Sequence, residues 1–366
     1  MKARAMVLEA PRRMSLQTFD IPDIGQEDAL LKVQMVGVCG SDPGIYRGKK
    51  SRNIRPYPII MGHEMVGEIA EIGEVAARNH KVQKGDRVIV EYAFPCGHCQ
   101  ACLEGEYTRC ESNLCYGSMI SCKDSPYLWG AYAEYMYIAP RAVVHKISRT
   151  LPDEAAILVS AVLGNAIRWL RIKGGVSIGD TVVIQGPGQQ GLAGVIIARE
   201  SGATNIIVTG MSVDGERMAL AKEFGATYCC NIEKEDPVKV VNDITEGKMA
   251  DIVLDVTGHP EGLIMSIDLV GSGGTIVMPG LYGLDKEIPL TIDKVIYKEV
   301  IMRGVFSHTI SSVIPAIKLA ESRRYPLEKM VTHRFPLAEA ERAVQLVGGE
   351  IEGKFPVKVV IEPWAG

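Results

Sequence analysis

Residues 181–191 read Thr-Val-Val-Ile-Gln-Gly-Pro-Gly-Gln-Gln-Gly. A β-branched run ends in Gly186-x-Gly188-x2-Gly191, and an apolar helical pattern over Leu192–Glu200 follows at once. That strand–turn–helix setting is the one in which a G-x-G-x-x-G pattern carries meaning. Gly186 permits the tight turn, Gly188 lets backbone approach a pyrophosphate, and Gly191 lets helix and strand pack closely. Gln189 and Gln190 stand where the free N–H groups of a helix start would face phosphate. Outward from this turn, strands alternate with helices. Asn205–Thr209 reads as a strand, Gly215–Phe224 as a helix, and Ile252–Val256 and Thr275–Met278 as further strands. Such alternation predicts an α/β domain with a doubly wound parallel sheet of Rossmann type, placed over residues 157–304.

The second strand of such a unit ordinarily ends in Asp or Glu, roughly 20 residues past the glycines, to bind a ribose diol. Here it ends in Gly210-Met211-Ser212. Gly210 leaves room for a 2′-phosphate, to which Ser212 and Arg217 could donate, and that favours NADP. Asp214 and Glu216 in the same loop could instead accept from a free diol and would repel a phosphate. The balance leans slightly to NAD. Thr257 and Gly280 follow later strands, at the carboxyl edge where cofactor binds in open α/β sheets; plain turn chemistry is the other reading.

Residues 1–156 have another rhythm. Short segments rich in Val and Ile, Leu30–Val38, Met65–Ile72 and Arg87–Glu91, are punctuated by Gly and Pro and read as all-β. After 304 come helices near Val313–Ser322 and Leu337–Val347 and a strand over Lys354–Ile361. A chain of 366 residues is long for one core, so 1–156 with 305–366 is expected as a second, β-rich domain. Hydrophobic residues make up 47% and charged residues 23%, a globular mix. A formal net charge of −4 gives no reason to expect nucleic acid or an anionic membrane as partner. The first twenty residues hold no sustained apolar stretch, and no unbroken run of about 18 apolar residues occurs. The expectation is a cytoplasmic protein.

The nine cysteines are odd in number and clustered, which does not suit a disulfide framework. Cys96, Cys99, Cys102 and Cys110 have the spacing C-x2-C-x2-C-x7-C. Four thiolates on one compact loop fill a tetrahedral shell and leave no position for substrate, a structural role. Tetrahedral sulfur suits zinc or iron, and the neighbouring motifs favour zinc. Arg109 is placed to ease the negative charge, and His98 reads as a solvated spacer.

Cys39 lies in Cys-Gly-Ser-Asp (39–42) and His63 in Gly-His-Glu-x2-Gly-x5-Gly (62–73). Gly-Asp-Arg-Val (85–88), the four-cysteine loop and Gly-Ala-Tyr-Ala-Glu-Tyr (130–135) follow in order. Together with the glycine turn, these motifs resemble the zinc-containing medium-chain dehydrogenase/reductase family, on its alcohol, polyol and threonine dehydrogenase side, over essentially the whole chain. The resemblance implies a GroES-like catalytic domain joined to the Rossmann domain, two zinc ions per chain and NAD(P). It implies that Cys39 and His63 ligate the catalytic zinc, that Ser41 takes the substrate proton, and that Asp42 orients the ligand histidine. Two departures stand out. The third ligand of many members falls on Ala161, which cannot bind metal, so Glu64 is expected to complete the set as its counterpart does in sugar-alcohol members. The other reading of Glu64 is a carboxylate just outside the ligand set. The relay histidine three residues past the serine is replaced by Gly44, and Tyr46 is the nearest hydroxyl.

The expected reaction is hydride transfer between a secondary alcohol (a polyol, a cyclic alcohol or similar) and NAD(P), giving the ketone. The aromatic segment Tyr116–Trp129 either borders the substrate or packs on its own domain. Two rival readings are a zinc-independent quinone or enoyl reductase, which would lack the Cys39/His63 pair, and a non-enzymatic nucleotide-binding protein. The family resemblance further implies a homo-oligomer, a tetramer or dimer.

Overall fold

The computed structural model describes residues 2–49, 56–112, 114–353 and 355–365. The chain forms two compact units, Met1–Ala161 with Ile317–Gly366, and Val162–Ala316. The sequence pattern predicts divisions at 156/157 and 304/305. In the structure they fall inside helical segments, around residue 161 and within the helix Ile310–Glu321.

The second unit holds a six-stranded sheet in which every pairing is parallel. Its spatial order is Tyr228–Asn231, Asn205–Gly210, Thr181–Gln185, Ala250–Asp255, Val270–Met278, Ile301–Gly304. Numbered along the chain this is 3-2-1-4-5-6, so the order reverses beside Thr181–Gln185, the strand that feeds the glycine turn. That strand is buried along its whole length, as a central parallel strand covered on both faces must be. The helix Gln189–Glu200 buries Gly191 through Ala198.

In the first unit, the ten-residue strand Ala29–Val38 is the hub. It pairs antiparallel with Met65–Ile72, with Tyr135–Ile138 and with Lys358–Glu362. A three-stranded sheet holds Arg13–Asp20, Lys2–Ala10 and Ile59–Ile60. The last strand begins at Lys358 rather than 354, and Lys354 lies outside the described residues. The Gly85–Val88 motif proves architectural. Asp86 accepts from the Gln83 amide at 3.0 Å and pairs with Lys146 at 2.8 Å. Arg87 donates to the carbonyls of Ser148 and Leu151.

One segment was not legible as an element. Asp153–Gly174 is a 22-residue helical stretch, long and apolar enough by composition to cross a membrane, and 89% of its most apolar window is buried within the protein. Asp153, Glu154, Arg168, Arg171 and Lys173 break its apolar run in the sequence. Two π-helical stretches, Val159–Gly164 and Ile167–Gly174, blur its periodicity.

Candidate active site and metal centres

Strand register assembles the first cluster. Val36 stands opposite Met65, and the Gly37 amide donates to the Glu64 carbonyl at 2.8 Å. Cys39, just past the end of one strand, is thereby brought to His63 and Glu64, just before the start of the next. One donor atom from each of Cys39, His63 and Glu64 lies within 4.8 Å of the others. The approach depends on Gly37, where a Cβ would stand 2.5 Å from Glu64 Oε2 and 2.7 Å from Lys358 Cε.

Asp42 sits beneath this cluster, fully buried. Its Oδ2 accepts from the Cys39 amide at 2.8 Å and from the Tyr132 hydroxyl at 2.9 Å. Its Oδ1 lies 3.5 Å from His63 Nδ1. This leaves Nε2 of the imidazole for the open side, where the exposed Ser41 hydroxyl is 3.4 Å away. Burial pushes the Asp42 carboxyl up, against the pull of His63 and the Cys39 amide. Burial pushes His63 down, but the charges of Asp42 and Cys39 outweigh it and raise the imidazole to about 10. The donors thus gather negative charge around a point that calls for a cation.

Two residues here escaped the sequence reading. Tyr132 holds Asp42, and a Cβ at Gly62 would meet its ring at 2.5 Å. Lys358, from the last strand, donates to Glu64 Oε2 and to the Val38 carbonyl. Glu64 Oε1 is buried without a hydrogen-bond partner among the described residues. Burial would raise the Glu64 carboxyl, but Lys358 and His63 hold it below its ordinary value, as a carboxylate. The set Sγ, imidazole nitrogen and carboxylate oxygen, with one carboxylate oxygen unpartnered, fits zinc with a position left open. Ala161 contributes only a methyl group.

Tyr46 is turned elsewhere. It is 2% exposed, donates to Glu341 at 2.8 Å and accepts from Gln345 at 3.2 Å. Nor is Tyr116–Trp129 an open lining: Tyr116, Cys122 and Leu128 are buried, and the Trp129 ring lies 5.0 Å from Tyr137 and 6.1 Å from Phe94. Tyr116, Cys122 and Leu128 belong to the core of their own unit and Trp129 packs against it, whereas Tyr127 is exposed.

The sulfur atoms of Cys96, Cys99, Cys102 and Cys110 also lie within 4.8 Å of one another. Cys96 and Cys99 approach Cys102 at 3.8 and 3.5 Å. A tetrahedral shell with Zn–S of about 2.3 Å requires sulfurs about 3.8 Å apart, so the set fits zinc. The amides of His98 and Cys99 bring the Cys96 thiol down to about 6. His98 is exposed and contacts the Cys96 carbonyl, and Arg109 pairs with Glu104 at 3.2 Å.

At the glycine turn, a Cβ on Gly191 would stand 1.9 Å from the Gly186 carbonyl oxygen, so only glycine lets helix meet strand there. A Cβ on Gly188 would meet nothing within 4 Å. That open space, at the N-terminus of the helix Gln189–Glu200, is the cradle a pyrophosphate needs. The buried Gln189 Oε1 has no hydrogen-bond partner among the described residues. Gln190 lies beside it in the first turn. Across the switch point, Thr257 donates through its amide and hydroxyl to Asp255 at 2.9 and 2.6 Å. A Cβ on Gly280 would lie 3.1 Å from the Gly258 amide, so the ends of those strands meet closely. Arg217 is paired with Asp214 at 2.7 Å, and the Ser212 hydroxyl accepts from Asn231 at 3.1 Å.

Residues 25–149 match the family model "Alcohol dehydrogenase GroES-like domain", and residues 191–322 match "Zinc-binding dehydrogenase". The chain is 37% identical to the "Probable alcohol dehydrogenase" of Mycobacterium tuberculosis, covering 98% of each. It is 31% identical to the erythritol/L-threitol dehydrogenase of Mycolicibacterium smegmatis, over 99% of this chain and 98% of the relative. The crystal structure of an alcohol dehydrogenase from Thermotoga maritima superposes with a TM-score of 0.89 at 30% identity, covering 99% of both chains. The chain belongs to the zinc-containing medium-chain dehydrogenase family. It is an oxidoreductase of that family, built from a GroES-like domain and a Rossmann domain.

Proposed function

We propose that this chain is a zinc-dependent dehydrogenase of secondary alcohols, polyols among them, using NAD or NADP and giving the ketone. The observation that carries the reading is the convergence of Cys39, His63 and Glu64 over a buried Asp42, with the Ser41 hydroxyl at the open side. The alcohol and polyol dehydrogenases among its relatives support the substrate class. Cys39, His63 and Glu64 would hold the catalytic zinc, and Cys96, Cys99, Cys102 and Cys110 a structural one. Gly186, Gly188, Gln189, Gln190 and Gly191 would seat the pyrophosphate, with Thr257 and Gly280 bordering the nicotinamide half.

When bound, the zinc supplies Lewis-acid polarisation of the alcohol oxygen and the nicotinamide supplies hydride acceptance. The protein's own work is orientation and proton handling. Asp42 fixes the His63 ring through Nδ1. Ser41 accepts the alcohol proton and, being exposed, passes it directly to water. This shorter route needs neither a histidine at 44 nor Tyr46.

The edge strand Ile301–Gly304, paired on one side only among the described residues, with Leu281, Leu284, Ile296 and Tyr297 exposed nearby in sequence, supports a homo-oligomer. No disulfide joins the nine cysteines, all of them described residues, which suits a reducing cytoplasm.

The test combines metal analysis with a substrate panel. Two zinc ions per chain are expected, with turnover on secondary alcohols, cyclitols, polyols or threonine. Glu64→Gln should lose catalytic zinc; retention of both metals at a near-wild-type rate would place Glu64 outside the ligand set.

A further inference from the structure

The strand Asn205–Gly210 ends without the acid that reads an adenosine ribose, and the space around position 210 is tight. A Cβ on Gly210 would lie 3.1 Å from Pro187 Cγ of the glycine turn, 3.3 Å from Met218 Sδ and 3.4 Å from Asp214 Cβ. Asp214 is already engaged. Its Oδ2 accepts from the Met211 amide at 3.0 Å, its Oδ1 from Arg217 at 2.7 Å, and it is buried.

A carboxylate arrives from the neighbouring strand instead. Gly210 stands opposite Asn231 in the parallel pairing, and the Ile232 amide donates to the Gly210 carbonyl at 3.0 Å. The turn beyond Asn231 therefore folds over residues 210–212. There Glu233 Oε2 accepts from the Ser212 amide at 2.6 Å. Asn231 braces the arrangement, donating to the Ser212 hydroxyl at 3.1 Å and accepting from the Glu233 amide at 3.1 Å. Glu233 is exposed and forms no ion pair with a described residue. The Ser212 side chain and amide keep it ionised, below the ordinary glutamate value.

We propose that Glu233 supplies the ribose-reading carboxylate that position 210 lacks, and that it makes the chain select NAD over NADP. The ribose of a dinucleotide lies at the carboxyl end of the second strand, where this carboxylate is held. It accepts from the free diol and repels a 2′-phosphate. Arg217, the nearby cation suited to a phosphate, is committed to Asp214. The inference rests on the Gly186–Gly191 turn being the dinucleotide site.

Dissociation constants of NAD and NADP, measured by titration calorimetry on the full-length wild type, Glu233→Gln and Glu216→Gln, test it without reference to turnover. The wild type should bind NAD more tightly. A hydrogen bond to a charged group is worth about ten- to a hundred-fold in binding, so Glu233→Gln should weaken NAD at least about ten-fold and bring the two cofactors close to parity. Glu216→Gln should leave the preference intact. An unchanged preference in Glu233→Gln, tighter NADP binding by the wild type, or loss of preference in Glu216→Gln overturns the role of Glu233 while the dinucleotide site stands. Failure of the wild type to bind either cofactor removes the dinucleotide reading and this inference with it.

Discussion

The Nζ of Lys358 donates to the Glu64 carboxylate, and both side chains are wholly shielded from solvent. The pair joins the last strand to the metal-site turn, some 290 residues away in sequence. In the proposed site Glu64 would meet a metal through Oε1 while Oε2 stays paired with the ammonium.

Lys358→Met should strand a buried carboxylate. Breaking such a pair costs roughly 3–5 kcal/mol, and denaturant unfolding of the metal-free protein should show a loss of that order. Zinc supplies a replacement cation, so the loss should shrink in the loaded protein. Equal losses with and without zinc would mean that Glu64 does not face the metal.

Cys39→Ala and His63→Ala should each abolish nearly all turnover while the Kd for dinucleotide stays within about two-fold, because the glycine turn belongs to the other unit. Substantial activity in a variant that has lost one of its two zinc ions would sink the proposed mechanism.

Tyr132→Phe removes one of the two donors to Asp42 Oδ2. Loss of a group that orients a ligand histidine typically costs about 10–100-fold in metal affinity or activity. Competition with a chelator should show weaker zinc retention at the Cys39 site and unchanged retention at the four-cysteine site.

Cys102→Ser should leave one zinc ion per chain and lower the thermal midpoint, since a structural zinc contributes folding free energy. Its sulfur lies 3.5 Å from Cys99 and 3.8 Å from Cys96. Unaltered metal content would rule out the closed four-sulfur shell.

Glu350 anchors the turn that carries Ser41 and Asp42. It accepts from Arg47 at 2.7 Å and from Arg12 at 3.2 Å, and those cations hold its carboxyl below the ordinary value. A lowered folded-state pKa stabilises above the unfolded value, near 4.3, and the gain fades as pH falls through the folded one. Glu350→Gln should therefore cost roughly 0.2–1 kcal/mol at pH 7 and nothing once both states are protonated. A stability difference that persists in acid would point to packing rather than charge.

Much of the site was legible in local pattern. Cys96, Cys99, Cys102 and Cys110 lie within fifteen consecutive positions, so spacing alone brings four sulfurs to one loop. The glycine turn likewise carries its own steric logic, seen at Gly191. The roles of Tyr132 and Lys358 were not legible because their partners, Asp42 and Glu64, lie 90 and 294 residues away in sequence. Tyr132 lies in the Gly-Ala-Tyr-Ala-Glu-Tyr motif (130–135), which gives its hydroxyl no partner, and a lysine in a C-terminal strand ordinarily points to water. Tyr46 looked available because it is near Ser41 in sequence, yet the helix it sits on turns its hydroxyl toward Glu341.

The sequence by itself determined the two kinds of domain, the four-sulfur loop and the dinucleotide turn, since each rests on periodicity or spacing within a few tens of residues. Only the tertiary structure decided how Cys39 meets His63 and Glu64, because strand register sets that meeting. It also placed Glu233, the proposed ribose-reading acid, beside Ser212. The sequence shows a glycine at 210; the parallel pairing of two strands delivers Glu233 to Ser212. Pairing between distant strands carries no mark in local sequence, and both results depend on it.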